Sequence, residues 1–575
     1  MILGVLCLAT LIYALHGRVL QCGLFMDDHA HFRQLQECDW SFAGLTEACR
    51  LELVGGVVDL WWMPECTLRF FRPVSFGLMK LTYTLTGWSP TAMHLASLLW
   101  HLAVCTLLMV FLRRLGASVW LACAVAGLFA IHPGHLATVE WIACQTEIMV
   151  SAFLLGAALC FGRFRGWPGF GREDGRSPGV GWAIASAILF AAGLGCRENA
   201  VMFPFVMAAV EPLVWRQRRR PALILYAVFG VIVAGYLLLR HVTLGGMQVP
   251  PPPYVIRPTD PGFLRFVFDK VWYYLLGEYL LVPAIPIGGL PYFQARPFVL
   301  YGLAAGVVLL ILAVWLRHKR TPAGLLSPVW LLAFLAPTLP VFASPHHLYL
   351  PGTGWAITVM LILRGIGTAR PAASRLARWS RRCTMWVCIG LLGGVFGVVT
   401  FYSGLAFETG QRVENCLADE IASAPSGLRD GDTLYIANLP LIGHYARLAV
   451  EERTGLRGLR VIALTWAPRL LGPATPTELT WINDRTIEIR VADDRFFSGP
   501  LGRLARESAG HEIPDEADFS EKLGFRVRVL DRDAEGILAL RFEFDRPLTD
   551  SRVHLFWGSR VRWAYEVRPG PHHEP

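Results

Sequence analysis

The chain has 575 residues, 54% of them apolar and only 17% charged, with a mean hydropathy of +0.44; an ordinary soluble enzyme carries more surface charge than this. The net charge of +9 comes from 53 basic and 44 acidic residues, but only Lys80, Lys270, Lys319 and Lys522 are lysine, so the basicity is an arginine bias and not a nucleic-acid-binding signature. Thirteen cysteines form no C-x-x-C pair, which excludes a zinc ribbon or a thioredoxin-like motif.

Eleven apolar runs of roughly 17 to 22 residues, the length that spans a bilayer, are predicted near 2–20, 92–112, 117–133, 146–162, 180–196, 199–215, 221–240, 298–316, 326–342, 348–364 and 384–402. Basic clusters at Arg113/Arg114, Arg163 through Arg176, Arg216 through Arg220, Arg317/Lys319/Arg320 and Arg364 through Arg382 occupy every second loop. The positive-inside rule assigns those loops to the cytoplasm. The amino terminus is then inside, and residues 403–575 are outside. The first run lacks a basic n-region and a small-x-small site, so it reads as an anchor and not as a cleaved signal peptide.

The loop 21–91 opens with Asp27-Asp28-His29-Ala30-His31 and holds Cys22, Cys38, Cys49 and Cys66, which are either free thiols or a disulfide source in an oxidising compartment. Within it, Phe71, Val74, Leu78, Leu81 and Leu85 are spaced as one apolar helical face, expected to lie along the membrane surface. Later outer loops carry His132, His135, Glu140 and Glu147, then Arg197-Glu198, the proline run Pro250–Pro253, and His346-His347. The aromatic and proline-rich stretch Phe263–Leu290 fits no span without reversing the charge pattern, and is read as interfacial or re-entrant. After residue 402, alternating runs at 432–437, 459–464, 486–491, 525–530 and 537–544 predict strands, with a helix over 443–454. No 34-residue period marks tetratricopeptide repeats.

Two adjacent carboxylates at a membrane exit supply a base for a hydroxyl nucleophile and a second group to orient substrate, and their mutual repulsion raises one pKa. An ordinary solvated helix end has the same composition. His132-Pro133-Gly134-His135 with Glu140 and Glu147 reads either as a divalent-metal set or as hydrogen-bonding loop residues. Arg197 between two spans suits phosphate binding or a structural ion pair with Glu198. Arg72 and His347 add donors on the same face.

In order, Asp27-Asp28, Phe71-Arg72-Pro73-Val74, His94, His132-Pro133-Gly134-His135 with Val139-Glu140-Trp141-Ile142, Arg197-Glu198, and Leu348-Tyr349-Leu350-Pro351-Gly352-Thr353-Gly354 resemble the GT-C superfamily of membrane glycosyltransferases. The set is most similar to the protein O-mannosyltransferase-like group with transmembrane and tetratricopeptide-repeat regions. The resemblance spans about residues 20–365. It implies a polyprenyl-phosphate-sugar donor, an extracytoplasmic site, and an acidic residue of the first loop as catalytic base. Arg197 stands where the family usually has lysine, His347 where arginine is common, and Gln145-Thr146-Glu147 where Arg-Ala-Asp is usual; no repeats follow.

The expected architecture is an α-helical polytopic membrane protein, residues 1–402, with a soluble α+β domain, residues 403–575. The expected function is transfer of a sugar, mannose in the family it resembles, from a lipid phosphate to a hydroxyl of a protein or glycan acceptor at a bacterial inner membrane. Asp27 or Asp28 is the base; Arg197, Arg72 and His347 take the phosphate; Glu198, His132, His135, Glu147 and Tyr349 support the site. The rival readings are a non-catalytic scaffold or flippase, and a proton-coupled transporter relying on Glu211 and Glu278.

Overall fold

The computed structural model describes residues 1–63, 65–170, 179–214, 219–246, 255–280, 297–368, 374–466, 476–498, 513–559 and 562–569; the proline run 250–253 and residues 281–290 lie outside these. Among the described residues, six helices are long and apolar enough to cross a bilayer: Ile2–Gln21, Pro90–Arg114, Ile142–Arg165, Pro221–Leu244, Tyr301–His318 and Arg375–Ala422. Val119–Ala130 and Pro133–Glu140 form a further span bent by 53°, and the shorter apolar helices Val180–Leu194, Pro322–Thr338 and Gly352–Gly367 fall on three more of the predicted runs. The chain is an integral membrane protein, and large apolar side chains such as Ile224, Val231, Leu238 and Leu309 stand more than half exposed on its helical flanks. The exception is 199–215, which is a 3-10 turn Glu198–Met202 followed by the short helices Phe203–Ala208 and Glu211–Val214. Pro204 and Pro212 interrupt its helical hydrogen bonding. The broken segment is anchored by Glu211, which takes a two-nitrogen grip from buried Arg165 at 2.9 and 2.6 Å.

The bend in the Val119–Glu140 span explains the buried histidines packed around it in physical terms. Pro133 has no N–H to give to Phe129, which keeps only His132 N at 3.3 Å, and the N–H groups of Gly134 and His135 go to His132, so Ala130 and Ile131 lose their helical partners. Unpaired carbonyls in an apolar interior are costly. His135 Nδ1 donates to Phe129 O at 3.0 Å, His101 Nε2 donates to Ala130 O at 3.1 Å with His16 Nε2 at 3.3 Å, and Thr400 Oγ1 donates to Ile131 O at 2.7 Å. Since His101 Nε2 carries the proton, its Nδ1 accepts from Tyr349 Oη at 2.6 Å.

Gly354 lies where the Gly352–Thr368 helix crosses Pro322–Leu335; a Cβ there would sit 2.6 Å from Leu331 N and 2.7 Å from Ser327 O. Backbone cannot yield as a side-chain tip does, so this crossing requires the missing side chain. Gly354→Ala is expected to lower the melting temperature of the purified protein by several degrees. An unchanged melting curve would show that the two helices do not pack this closely.

The helix Arg375–Ala422 has 48 residues, about 72 Å at the usual rise, far more than a membrane thickness. The domain boundary expected at 402/403 therefore falls inside a continuous helix, whose last turns bury Gln411, Glu414, Leu417, Ala418 and Ile421. The first loop folds with the tail. It forms the hairpin of β1 (Arg50–Val54) and β3 (Cys66–Arg69), while β2 (Asp59–Leu60) is the edge strand of a sheet ordered β12-β11-β4-β5-β2. In that sheet β4 (Thr433–Ala437), β5 (Arg460–Ala463) and β11 (Val553–Trp557) run parallel, and β12 (Tyr565–Val567) antiparallel. A second, antiparallel sheet has the order β6-β7-β10-β9-β8 and contains β6 (Thr477–Asn483), β7 (Thr486–Val491), β8 (Glu516–Asp518), β9 (Phe525–Arg532) and β10 (Ile537–Phe544). Trp61 and Trp62 from the loop pack on Phe497, Phe542 and Trp466, and Trp61 Nε1 donates to Leu464 O at 2.9 Å. All thirteen cysteines are free thiols.

The helix Pro73–Leu85 buries Phe76, Met79 and Tyr83, not the predicted stripe. Of that stripe Phe71 is buried, whereas Leu81 and Leu85 are 45% and 76% exposed. Leu81 and Leu85 lie on the outward face of a helix whose inner face is a second apolar set, while Val74 and Leu78 pack at its edge. Phe263–Leu280 is a helix that buries Lys270, Tyr273, Tyr274 and Glu278, and its charged residues keep it out of the group able to cross a bilayer alone.

Candidate functional site

Asp27 and Asp28 open the helix Asp27–Glu37, directly after Met26, whose φ of +48° is a strained value for a residue with a side chain. Met26 N donates to Glu414 Oε2 at 2.9 Å, so the long C-terminal helix holds the strained residue that aims Asp27. The two aspartates differ in their duties. Asp28 is fully buried and both of its oxygens are occupied, accepting from Ala143 N at 2.7 Å and Phe25 N at 3.1 Å. Asp27 is half-buried; burial lifts its carboxyl to about 6 against the hydrogen bond from Tyr445 of the tail. Burial, and the charge of Asp27, also push the Asp28 carboxyl up against its two backbone donors.

The segment 140–147 is the frame on which the candidate site residues hang. Glu140 takes His16 Nδ1 at 2.7 Å, Trp141 Nε1 donates to Phe25 O at 3.1 Å, and Ala143 N holds Asp28. Gln145 Nε2 donates to Ser97 Oγ and Met93 O, while Thr146 and Glu147 hold Arg197. About one helical turn, from Ala143 to Thr146 and Glu147, thus connects Asp28 to the arginine. Neither Glu140 nor Glu147 approaches His132 and His135 as a co-ligand, so the four-residue metal reading does not hold.

The expected Arg197–Glu198 pair is exchanged for two others. Arg197 Nε lies 2.8 Å from Glu147 Oε1 and its Nη1 donates to Thr146 Oγ1 at 3.1 Å. Arg72 grips Glu198 through Nε and Nη2 at 3.0 and 2.9 Å and stacks over Phe70, 4.0 Å from the ring centre. Burial opposes charge on Glu198, yet Arg72 and Arg197 together hold its carboxyl below the usual range. The reason for the exchange is local: Arg197 has extended backbone (φ −161°, ψ 143°) and Glu198 begins a 3-10 turn, so the two side chains diverge.

His347 completes the cationic side. Tyr274 Oη accepts from Ser344 N at 3.3 Å, so its proton goes to His347 Nδ1 at 2.7 Å, which leaves His347 Nε2 as an N–H donor. Burial, followed by the charges of His346, Lys270, Arg197 and Arg72, holds the His347 imidazole well below its usual range. The group is neutral, in a field whose fixed cations are Arg197 and Arg72. Tyr349, His132 and His135 lie in the separate network around the bent span. Glu414 and Tyr445 were not visible as site residues in the sequence; they reach the first loop across hundreds of residues, as do Glu451 and Glu452, which pair with Arg33 and His29.

No family model matches the chain. It is 26% identical over 245 residues to the protein O-mannosyl-transferase Tmtc3 of Drosophila melanogaster, a stretch covering 38% of this chain and 25% of the relative. The corresponding TMTC3 proteins of Mus musculus and Homo sapiens are 24% identical over 161 residues and 28% over 111, covering 27% and 19% of this chain. Those stretches are 16% and 12% of the two relatives, so the chain spans a quarter or less of each curated relative. Among solved structures, ArnT from Cupriavidus metallidurans bound to undecaprenyl phosphate is 14% identical, with 94% of this chain and 97% of that chain covered and a TM-score of 0.42. An Archaeoglobus fulgidus oligosaccharyltransferase tethered to an acceptor peptide is 10% identical, with 80% and 63% covered and a TM-score of 0.43. The chain is similar in sequence to the protein O-mannosyl-transferases that its ordered motifs resemble.

Proposed function

We propose that the chain is an inverting glycosyltransferase that moves a sugar from a polyprenyl-phosphate donor to an acceptor hydroxyl on the extracytoplasmic face. The observation that carries this reading is the division of labour within the acidic pair. Asp28 is fixed by two backbone N–H groups, one of them from Ala143, whose helix also carries Thr146 and Glu147 against Arg197, and Asp27 is left as a carboxylate with a raised pKa. A base near neutrality is the group that deprotonates a hydroxyl. The acceptor O–H gives its proton to Asp27 as its oxygen attacks the anomeric carbon. The bond to the lipid phosphate breaks on the opposite face, and the phosphate leaves with the electron pair. Its charge is received by Arg197, Arg72 and the Nε2–H of His347, groups already oriented by their own partners and so needing little reorganisation.

Membranes offered a series of polyprenyl-phosphate sugars are expected to transfer one of them with the wild type and none with Asp27→Asn. Transfer equal in both would place the base elsewhere, and transfer in neither would leave a non-catalytic scaffold as the reading. The orientation is tested separately: a reporter fused after Arg114 is expected to stay cytoplasmic, and one fused after Gly427, beyond the long helix, to be exported. A cytoplasmic tail would move the site to the wrong face for an extracytoplasmic acceptor.

A further inference from the structure

The transfer reaction makes no use of His132, His135 and Glu278, which are all fully buried and bring three ligand atoms within 4.8 Å of one another. His135 gives its Nδ1 proton to Phe129 O, so Nε2 is a bare lone pair, and it has no partner among the described residues. It faces Glu278 Oε1 at 3.9 Å, and neither Glu278 oxygen accepts a hydrogen bond from them. No lysine or arginine pairs with Glu278 among the described residues. A carboxylate and an imidazole lone pair, both dry and both aimed at one point, are costly unless something occupies that point. The chain also keeps the space clear: a Cβ on Gly352 would lie 2.7 Å from His135 Nε2 and 3.0 Å from Glu278 Oε1.

We propose that His135, Glu278 and His132 bind one divalent cation of the zinc class. Two imidazoles and a carboxylate are a donor set that suits zinc. The outer partners match as well, since a ligating imidazole normally gives its other N–H to a carbonyl. His135 does so to Phe129 O, and His132 does so through Nε2 to Glu278 O at 2.9 Å. His132 Nδ1 at present accepts from Gly134 N at 3.1 Å, so ligation through that nitrogen exchanges one hydrogen bond for the metal. The cation joins the bend of the Val119–Glu140 span to the Phe263–Leu280 helix. It acts as a structural link, with the transfer chemistry left to the aspartates and arginines.

The test uses the full-length protein in detergent, stripped with a chelator and then dialysed against Zn2+. The wild type is expected to retain about one more zinc per chain than Glu278→Gln or His135→Gln, and to melt higher with zinc than without it. A wild type that holds no more zinc than Glu278→Gln overturns the proposal. Should the variants fail to fold, the wild type loaded with Co2+ decides. Visible d–d bands without thiolate charge-transfer absorption, removed by Zn2+, are the expected result. No displaceable band, or a thiolate band placing the metal on cysteine, overturns it.

Discussion

Asp27→Asn is expected to cut turnover by on the order of 10²-fold or more and, at neutral pH, to raise the melting temperature. Both effects come from one displaced equilibrium. The folded protein lifts the Asp27 carboxyl from its ordinary 3.8 to about 6, so folding favours the protonated form. The stability contributed by that proton is present below pH 4 and is lost as pH rises through about 6. Activity runs the other way, because the base works only when ionised, and kcat/KM is expected to climb through the same window. Asparagine removes the limb and the destabilising charge together. Asp28→Asn should behave differently: its amide NH2 would face Phe25 N or Ala143 N, two donors in a buried space, at a cost of about 1–3 kcal/mol. A lower melting temperature for Asp28→Asn beside a higher one for Asp27→Asn is the signature to look for. If both variants keep full transfer activity, the base lies elsewhere. Glu414 is then next, since it is buried beside Asp27 and its Oε1 has no partner.

How much of this was legible in the sequence depends on the distance over which each feature is determined. The acidic pair, Arg72, Arg197 and His347 are visible because each sits at a fixed place relative to an apolar run, and the bilayer fixes which end of a run is which. Pairing is not visible at that level. Arg197 and Glu198 are neighbours in the chain but not partners, because a change from extended backbone to a 3-10 turn falls between them. The strand β2 has only two residues and exists only because β5, some 400 residues later, offers an edge. The reach of Glu414 had a signal that hydropathy alone does not use: Gln411, Glu414, Ala418 and Ile421 recur at three- and four-residue spacing, the period of a helix continuing past its membrane segment. Pro204 and Pro212 were equally plain warnings against an unbroken 199–215 span.

Replacing Arg197 separates binding from architecture, and two variants are needed to do it. Glu147 is fully buried and depends on Arg197 Nε at 2.8 Å. Arg197→Ala strands that carboxylate, and breaking one side of a buried pair costs about 3–5 kcal/mol, so this variant is expected to melt far below the wild type or not to accumulate. Arg197→Lys keeps a cation beside Glu147 and should stay folded. What lysine cannot reproduce is the planar fork, which serves Glu147 and Thr146 with two nitrogens and still presents a third N–H edge. In the proposed reaction that third edge meets the donor phosphate. Arg197→Lys is therefore expected to weaken binding of a polyprenyl-phosphate donor about tenfold, the equivalent of about 1.4 kcal/mol, with acceptor affinity unchanged. Arg72 gives a built-in comparison, because its fork is already closed on Glu198 at two nitrogens and stacked on Phe70. Arg72→Lys should cost stability at least as much as donor affinity. Titrating the donor against folded Arg197→Lys decides the matter: normal affinity in a stable variant would make Arg197 a brace for Glu147 alone, and the phosphate would then have to be held by His347 and Arg72.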